Sequence, residues 1–202
     1  SAGEAGSAPA FEWRCQRADG GSVATEVRLM QLPGSPGLVR ASITDISERK
    51  RAECIMAGER DVFGRIASDA PLRESLEATV RLVEAVQSDC IACICRLSAD
   101  GRRFAEVIGT SLDPRLRAAE EESPIDVRNG SSAAAVYLGR AVLTGNVRTD
   151  PYWQRRRELA ESTGVTAAWS VPIKAAAGRV LGALSVYRRT PGKPHERDLD
   201  LI

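Results

Sequence analysis

Alternation comes first along the chain. In FEWRCQR, Phe11, Trp13 and Cys15 fall on one face, and Glu12, Arg14 and Gln16 on the other. After the turn ADGG, Val23, Thr25, Val27 and Leu29 alternate against Ala24, Glu26 and Arg28. PGSPG breaks the chain and LVRASITDI resumes it. A period of two between turn signals predicts an antiparallel meander. Three strands are too few to close a core. The face carrying Phe11, Trp13, Val23 and Val27 is therefore expected to be poorly ordered, or covered by a second chain or by the helix that follows. From Ser47, read as an N-cap, the period changes. Ala52, Met56, Phe63 and Ile66 recur at helical spacings, with Asp61 and Arg65 as an i,i+4 pair. A narrow apolar stripe between charged faces suits a helix that packs on a partner helix.

SDAP ends that helix, and Leu72, Leu76, Val80, Val83 and Val86 form the stripe of the next. CIACICRL reads as a strand, SADGR as a hairpin turn and RFAEVIG as its partner. DPRLRAAEEE and NGSSAAAVYLG read as short helices, the second stopped by Gly139, and AVLTGNV as a strand. DPYWQRRRELAESTG predicts one helix, with Asp150 as N-cap, Pro151 in the first turn and Gly164 at the end. VTAAWSVPI places Val165, Ala167, Trp169, Val171 and Ile173 on one strand face. AAAG then turns into RVLGALSVY, and PHERDLDLI starts a last helix. Hairpins dominate and no glycine-rich βαβ unit is present, so the expected class is α+β with an antiparallel sheet.

Composition narrows the function. The 202 residues are 43% apolar and 27% charged, as in a globular chain. The net charge is +1 with both signs interspersed, which favours neither nucleic acid nor insertion in a membrane. No apolar run reaches the roughly 18 residues of a membrane helix. Five cysteines (Cys15, Cys54, Cys90, Cys93, Cys95) form no secreted framework, and a reducing cytoplasm fits them. Residues 1–10, SAGEAGSAPA, are low in complexity and expected to be flexible.

CIACIC has metal-like spacing, but on a strand Cys93 and Cys95 share one face and Cys90 points to the other. Three sulfurs on two faces do not close a zinc site. His195, the only histidine, opens the last helix, away from any expected pocket. RRR at residues 155–157 reads as the solvated face of its helix, not as a nucleic-acid patch. The best binding candidate is RNGSSAAA. Asn129, Gly130, Ser131 and Ser132 stand at a helix N-terminus, which attracts anions and carbonyl oxygens; an ordinary capped helix explains the same residues. Trp153 and Trp169 read as core residues or as walls of a small-molecule pocket. No P-loop, GxGxxG, HExxH or kinase signature is present. The residues offer binding of an unidentified small molecule, and no nucleophile is paired with a base.

DISERKRAE, after the three strands, resembles the end of a PAS domain, where the last strand passes through a D-I-(S/T) turn into a signalling helix. The resemblance implies that residues 11–47 are the C-terminal half of a PAS domain, that 48–70 are a linker helix, and that Asp45 couples sheet to helix. GSSAAAVYLGRAVLTGNVRTDPYW, GVTAAWSVPI and GRVLGALSVYRRTPGKPHERDLDLI make residues 71–202 resemble a GAF domain. The likeness is to the type found in bacterial sensors upstream of cyclic-di-GMP enzymes and histidine kinases. It implies a GAF-like antiparallel sheet flanked by helices, a non-catalytic sensory module, and a homodimer formed through the linker and terminal helices. Gly130 and Ser131 match that type's glycine-serine pair, whereas Ser132, Ala133 and Ala134 stand where it carries Cys, Gly and Thr. The residues that hold cyclic nucleotides, bilin or haem in relatives are missing, so the resemblance names no cofactor. Two other readings stay open: a GAF-type thiol-dependent reductase using Cys90, Cys93 or Cys95, and a connector whose pocket is filled by its own side chains.

Overall fold

The structure is a computed structural model that describes residues 10–16, 18, 22–32, 37–87 and 89–194. His195 and the helix expected from PHERDLDLI lie outside the described residues. The chain divides into two compact units, Ser1–Met56 and Ala57–Ile202. In the first, β1 (Ala10–Gln16), β2 (Ser22–Gln31) and β3 (Val39–Asp45) form an antiparallel sheet in the order β1-β2-β3. Phe11 pairs with Val27 and Trp13 with Thr25 in register, so the alternation does set one apolar face. Val23 and Thr25 are buried on it, while Phe11 and Trp13 stay exposed. The start of α1 (Ser47–Ala67) meets the other face, where Lys50 Nζ stands 2.6 Å from Glu12 Oε2 and Arg49 reaches both Glu12 and Glu26. The helix therefore answers the charges of this sheet and leaves Phe11 and Trp13 uncovered, unlike the cover by α1 that the alternation suggested. Asp45 Oδ1 accepts the Ser47 backbone N–H at 2.8 Å, so the last strand residue caps the helix that follows it.

The second unit holds a five-stranded antiparallel sheet in the order β5-β4-β8-β7-β6. Its strands are β4 (Cys90–Leu97), β5 (Phe104–Ile108), β6 (Val142–Thr144), β7 (Ala167–Lys174) and β8 (Val180–Arg188). Helix α2 (Leu72–Val86) lies on one face. Val80 and Val83 pack there with Ala92, Ile94, Trp169, Leu184 and Val186. Leu72, expected in that stripe, is exposed. Helices α3 (Pro114–Glu122), α4 (Gly130–Leu138) and α5 (Arg157–Thr163) belong to the opposite face. Cys93, Cys95, Ala168, Ala183 and Tyr187 point there, into a cluster with Phe104, Leu116, Ala133 and Trp153. Period two in β4, β7 and β8 thus sends alternate residues to two separate cores.

DPYWQRRRELAESTG does not form one helix. Asp150 accepts the Tyr152 N–H and opens a 3-10 turn, Pro151–Trp153; α5 begins only at Arg157. Arg156 has φ −124° and ψ 14°, outside the helical region, and this break turns its side chain inward.

Helix α4 is buried from Gly130 to Val136, and it contacts both β7 and β8. Only small residues allow an approach so close: Ser131 to Ala135 on the helix, Ala168, Ser170, Ala183 and Ser185 on the strands. Gly182 obeys the same constraint within the sheet, because a Cβ there would run into the Cys95 carbonyl oxygen. Gly182→Ala is expected to cost about 1–3 kcal/mol, read as a lower urea midpoint of the full chain at unchanged slope.

Candidate functional site

The expected site residues separate in the structure. Asn129, Gly130, Ser131, Ser132 and Trp153 lie together between the sheet and the helices of the α4 side. Trp169 lies in the α2-side core, with the Arg188 guanidinium 5.4 Å from its ring centre. Its strand parity puts it there: Ala168 and Ser170 face α4, so Trp169 cannot. Asn129 is held by a turn, its Nδ2 donating to the Pro124 carbonyl at 2.9 Å. Ser131 Oγ accepts the Trp153 indole N–H at 2.8 Å and lies 3.3 Å from Thr144 Oγ1.

Ser132 opens onto a second group of residues, absent from the sequence-based site. Glu120 of α3 is fully buried and Arg156 is 5% exposed. The Arg156 Nη1 to Glu120 Oε1 distance is 2.8 Å, and Nη2 donates to the Ala119 carbonyl at 2.6 Å. Tyr187 OH donates to Glu120 Oε1 at 2.9 Å, and Ser132 Oγ does so at 3.1 Å. Behind Ser132, Ser185 Oγ donates to it at 3.0 Å, and Ser170 is 2.8 Å from Ser185. The hydroxyl chain from Ser170 through Ser185 and Ser132 can run in one direction, each proton aimed towards the carboxylate. Such a chain polarises cooperatively in a low-dielectric interior.

Arg156 Nη1, Tyr187 OH and Ser132 Oγ converge on one oxygen, Glu120 Oε1. Glu120 Oε2 has no hydrogen-bond partner among the described residues, and neither Arg156 Nε nor Nη1 has an aligned acceptor. The ion pair is close in distance but incompletely satisfied. Burial pulls the Arg156 guanidinium down, and the charge and poorly aligned hydrogen bond of Glu120, with Tyr187 and Cys95 nearby, together more than offset it, so Arg156 is held above its ordinary value. Burial, with Cys93 and Glu120 nearby, pushes the Tyr187 phenol well up. Trp153 meets Tyr187 edge to face, ring centres 6.3 Å apart.

The cysteines divide as strand parity requires. Cys93 and Cys95 are buried on the α4 side with sulfurs 3.7 Å apart, and Cys90 packs on the α2 side. The neighbouring Cys93 sulfur and burial push the Cys95 thiol well above its ordinary value. Cys90 also lines an open recess of about 440 Å³ with Asp89, Ile91, Ser111, Tyr187, Arg189 and Thr190. Among the described residues, no group of three or more His, Cys, Asp or Glu could hold a metal ion, and no helix is long and apolar enough to cross a membrane.

This fold and sequence define the class of the protein. The GAF domain family model matches residues 69–202, and the chain belongs to that family. The methyl sulfide methyltransferase-associated sensor of Methanosarcina acetivorans is 31% identical over 160 residues. The aligned region covers 79% of this chain and 16% of that relative, so the chain spans only a small part of its length. The GAF domain of a phosphoenolpyruvate-protein phosphotransferase from Coxiella burnetii superposes with a TM-score of 0.55 at 18% identity, covering 75% of this chain and 84% of that one. The reduced form of fRMsr of Staphylococcus aureus superposes at 0.51 with 12% identity, covering 73% and 86%. These structural likenesses show the α+β fold, and no more.

Two charges sharing a buried site should stand or fall together. Arg156→Met alone is expected to cost about 3–5 kcal/mol, because it strands the Glu120 carboxylate. The double replacement Glu120→Met with Arg156→Met is expected to cost less than the single one, read by urea denaturation of the full chain.

Proposed function

We propose that this chain is a non-catalytic sensory and regulatory module of a bacterial signal-transduction protein. A small molecule or partner that binds the GAF domain shifts a conformational equilibrium, and flanking helices pass the shift to an output such as a histidine kinase or cyclic-di-GMP enzyme. The reading is supported by membership of the GAF family and by a relative that is itself named a sensor. Residues 11–47 are read as the C-terminal half of a PAS domain, supported by the meander and by the Asp45 cap on α1.

The observation that carries the proposal is α1. Its 21 residues include none that is buried. Met56 and Phe63, seven residues apart on one face, are 55% and 66% exposed, whereas Ile66 lines a recess with Leu72, Leu76 and Thr79 of α2. Its other side is spoken for: Gly58 lies against Leu82 of α2, where a Cβ would collide with the leucine methyls. A helix packed on one side and apolar on the other suits a second copy of the same helix. Phe63→Glu is expected to turn a dimer into a monomer at micromolar concentration while the domain stays folded. Sedimentation equilibrium with circular dichroism checks this, and a wild-type monomer removes the dimeric relay.

The thiol-reductase reading has a specific obstacle. The thiolate is the reactive form, and Cys95 is buried with its thiol pushed up. Reduction of free methionine sulfoxide by wild type is expected to equal that of the variant with Cys90, Cys93 and Cys95 all changed to Ser. A rate in wild type about tenfold above the variant in a coupled thiol assay would establish the enzyme instead.

A further inference from the structure

The buried cluster is built as an anion site that already contains its anion. Arg156 supplies a guanidinium, and Ser132 and Tyr187 supply hydroxyls at 3.1 Å and 2.9 Å from one carboxylate oxygen. Gly130, at the N-terminus of nine-residue α4, lies against the same guanidinium: a Cβ there would be 3.4 Å from Arg156 Nη1. A helix N-terminus beside a buried cation is doubly positive and attracts negative charge. The resident carboxylate is poorly placed by its own helix. Glu120, Glu121 and Glu122 close α3, whose last turn has no basic residue. A helix C-terminus repels carboxylates. Glu120 also leaves Oε2 without a partner, and Arg156 leaves Nε without one.

We propose that Arg156, Tyr187, Ser132 and the start of α4 form a binding site for a short aliphatic monocarboxylate, and that Glu120 is the internal group this ligand displaces. The inference rests on the sensory reading and names the ligand class of its buried site. A single negative charge balances the one guanidinium, whereas a doubly charged phosphate would leave buried charge uncompensated. The buried cluster around it is apolar and includes Cys93, Cys95, Ala133 and Trp153. The Glu120 side chain is itself a propionate group, which sets the size of the ligand. Because wild type binds only when Glu120 has swung out, its apparent affinity is reduced by the fraction of molecules in that state.

The test compares wild type and Glu120→Ala, a change that removes the equivalent of an acetate ion. Sodium acetate and sodium propionate are titrated against sodium chloride at equal ionic strength, with calorimetry and melting temperature as readouts. Glu120→Ala is expected to bind acetate about tenfold or more tightly than wild type. Its melting temperature should rise with acetate and not with chloride. Arg156→Lys, which keeps the charge but loses the guanidinium fork, should weaken both responses. An acetate response no larger than that of chloride overturns the site. Rescue of Glu120→Ala with no saturable response in wild type overturns the displacement. Should Glu120→Ala fail to fold, wild-type amide spectra decide: saturable shifts at Ser131 and Ser132 support the proposal, and their absence overturns it. A ligand of other chemistry that binds wild type and Glu120→Ala equally would leave the sensory reading standing and remove this one.

Discussion

The interior of the GAF domain depends on one constraint: a guanidinium and a carboxylate held out of water. Removing two charges from solvent costs several kcal/mol per ion, and their attraction recovers this only with good geometry and further hydrogen bonds. Four elements must meet to supply them. Glu120 comes from α3, Ser132 from α4, Tyr187 from β8, and Arg156 from the break before α5. β8 is held by its neighbours in the sheet and α3 by its bonds to β5, which leaves α4 and the break before α5 to be positioned by this pair and its donors. With it, the register of α4 on β7 and β8 is set by Ser131, bonded to the Ala168 carbonyl, and by Ser132, bonded to Ser185, Tyr187 and the carboxylate.

The two faces of the sheet then have different work. On the α2 side, the buried residues packed against the sheet are apolar: Val80, Val83, Ile94, Leu184 and Val186, with Trp169. Such a core is tolerant of exchange at constant volume. On the α4 side, Ser131, Ser132, Ser170, Ser185 and Thr144 are fully buried. A polar interior costs stability, and partial satisfaction makes it a place where alternative arrangements compete. The asymmetry explains why α4 is built from glycine, serine and alanine. Larger side chains would lift it from the sheet and strand every hydroxyl beneath it.

Period and turn chemistry made most of the elements legible. The helix stripe of α2, the hairpin of β4 and β5, the capped α4 and the strand parity that parts Cys90 from Cys93 and Cys95 are all visible in the sequence. Glu120 and Arg156 were not, because each sits inside a run of like charges, EEE and RRR, that pattern reads as solvated. One signal was available for Glu120. It stands four residues after Leu116, which is buried on the same face of α3. For Arg156 no such signal exists, since its inward direction comes from the local loss of helix after Trp153. Trp169 was assigned to the right strand face relative to Val171 and Ile173, but the sequence could not say which of the two cores that face would join.

Contact with the outside of the domain starts at α3. Arg117 donates to the Val107 and Gly109 carbonyls, and Glu121 Oε1 accepts the Val107 N–H at 3.1 Å, so the helix that carries Glu120 is bolted to β5. On β5, Glu106 Oε1 lies 2.6 Å from Arg73 Nη1 in the first turn of α2. A route through the α3 backbone, these side chains and the β5 backbone therefore leads from the buried carboxylate to the helix that follows α1. Contact alone does not transmit a signal; a two-state element does. The carboxylate of Glu120 has the required character, being either inside the ring of donors or outside it. Leaving it half-inserted would leave a buried guanidinium with no counter-charge and only the Ala119 carbonyl as partner, a costly arrangement. The same penalty that makes the ion pair difficult to build is what would make its rearrangement discrete.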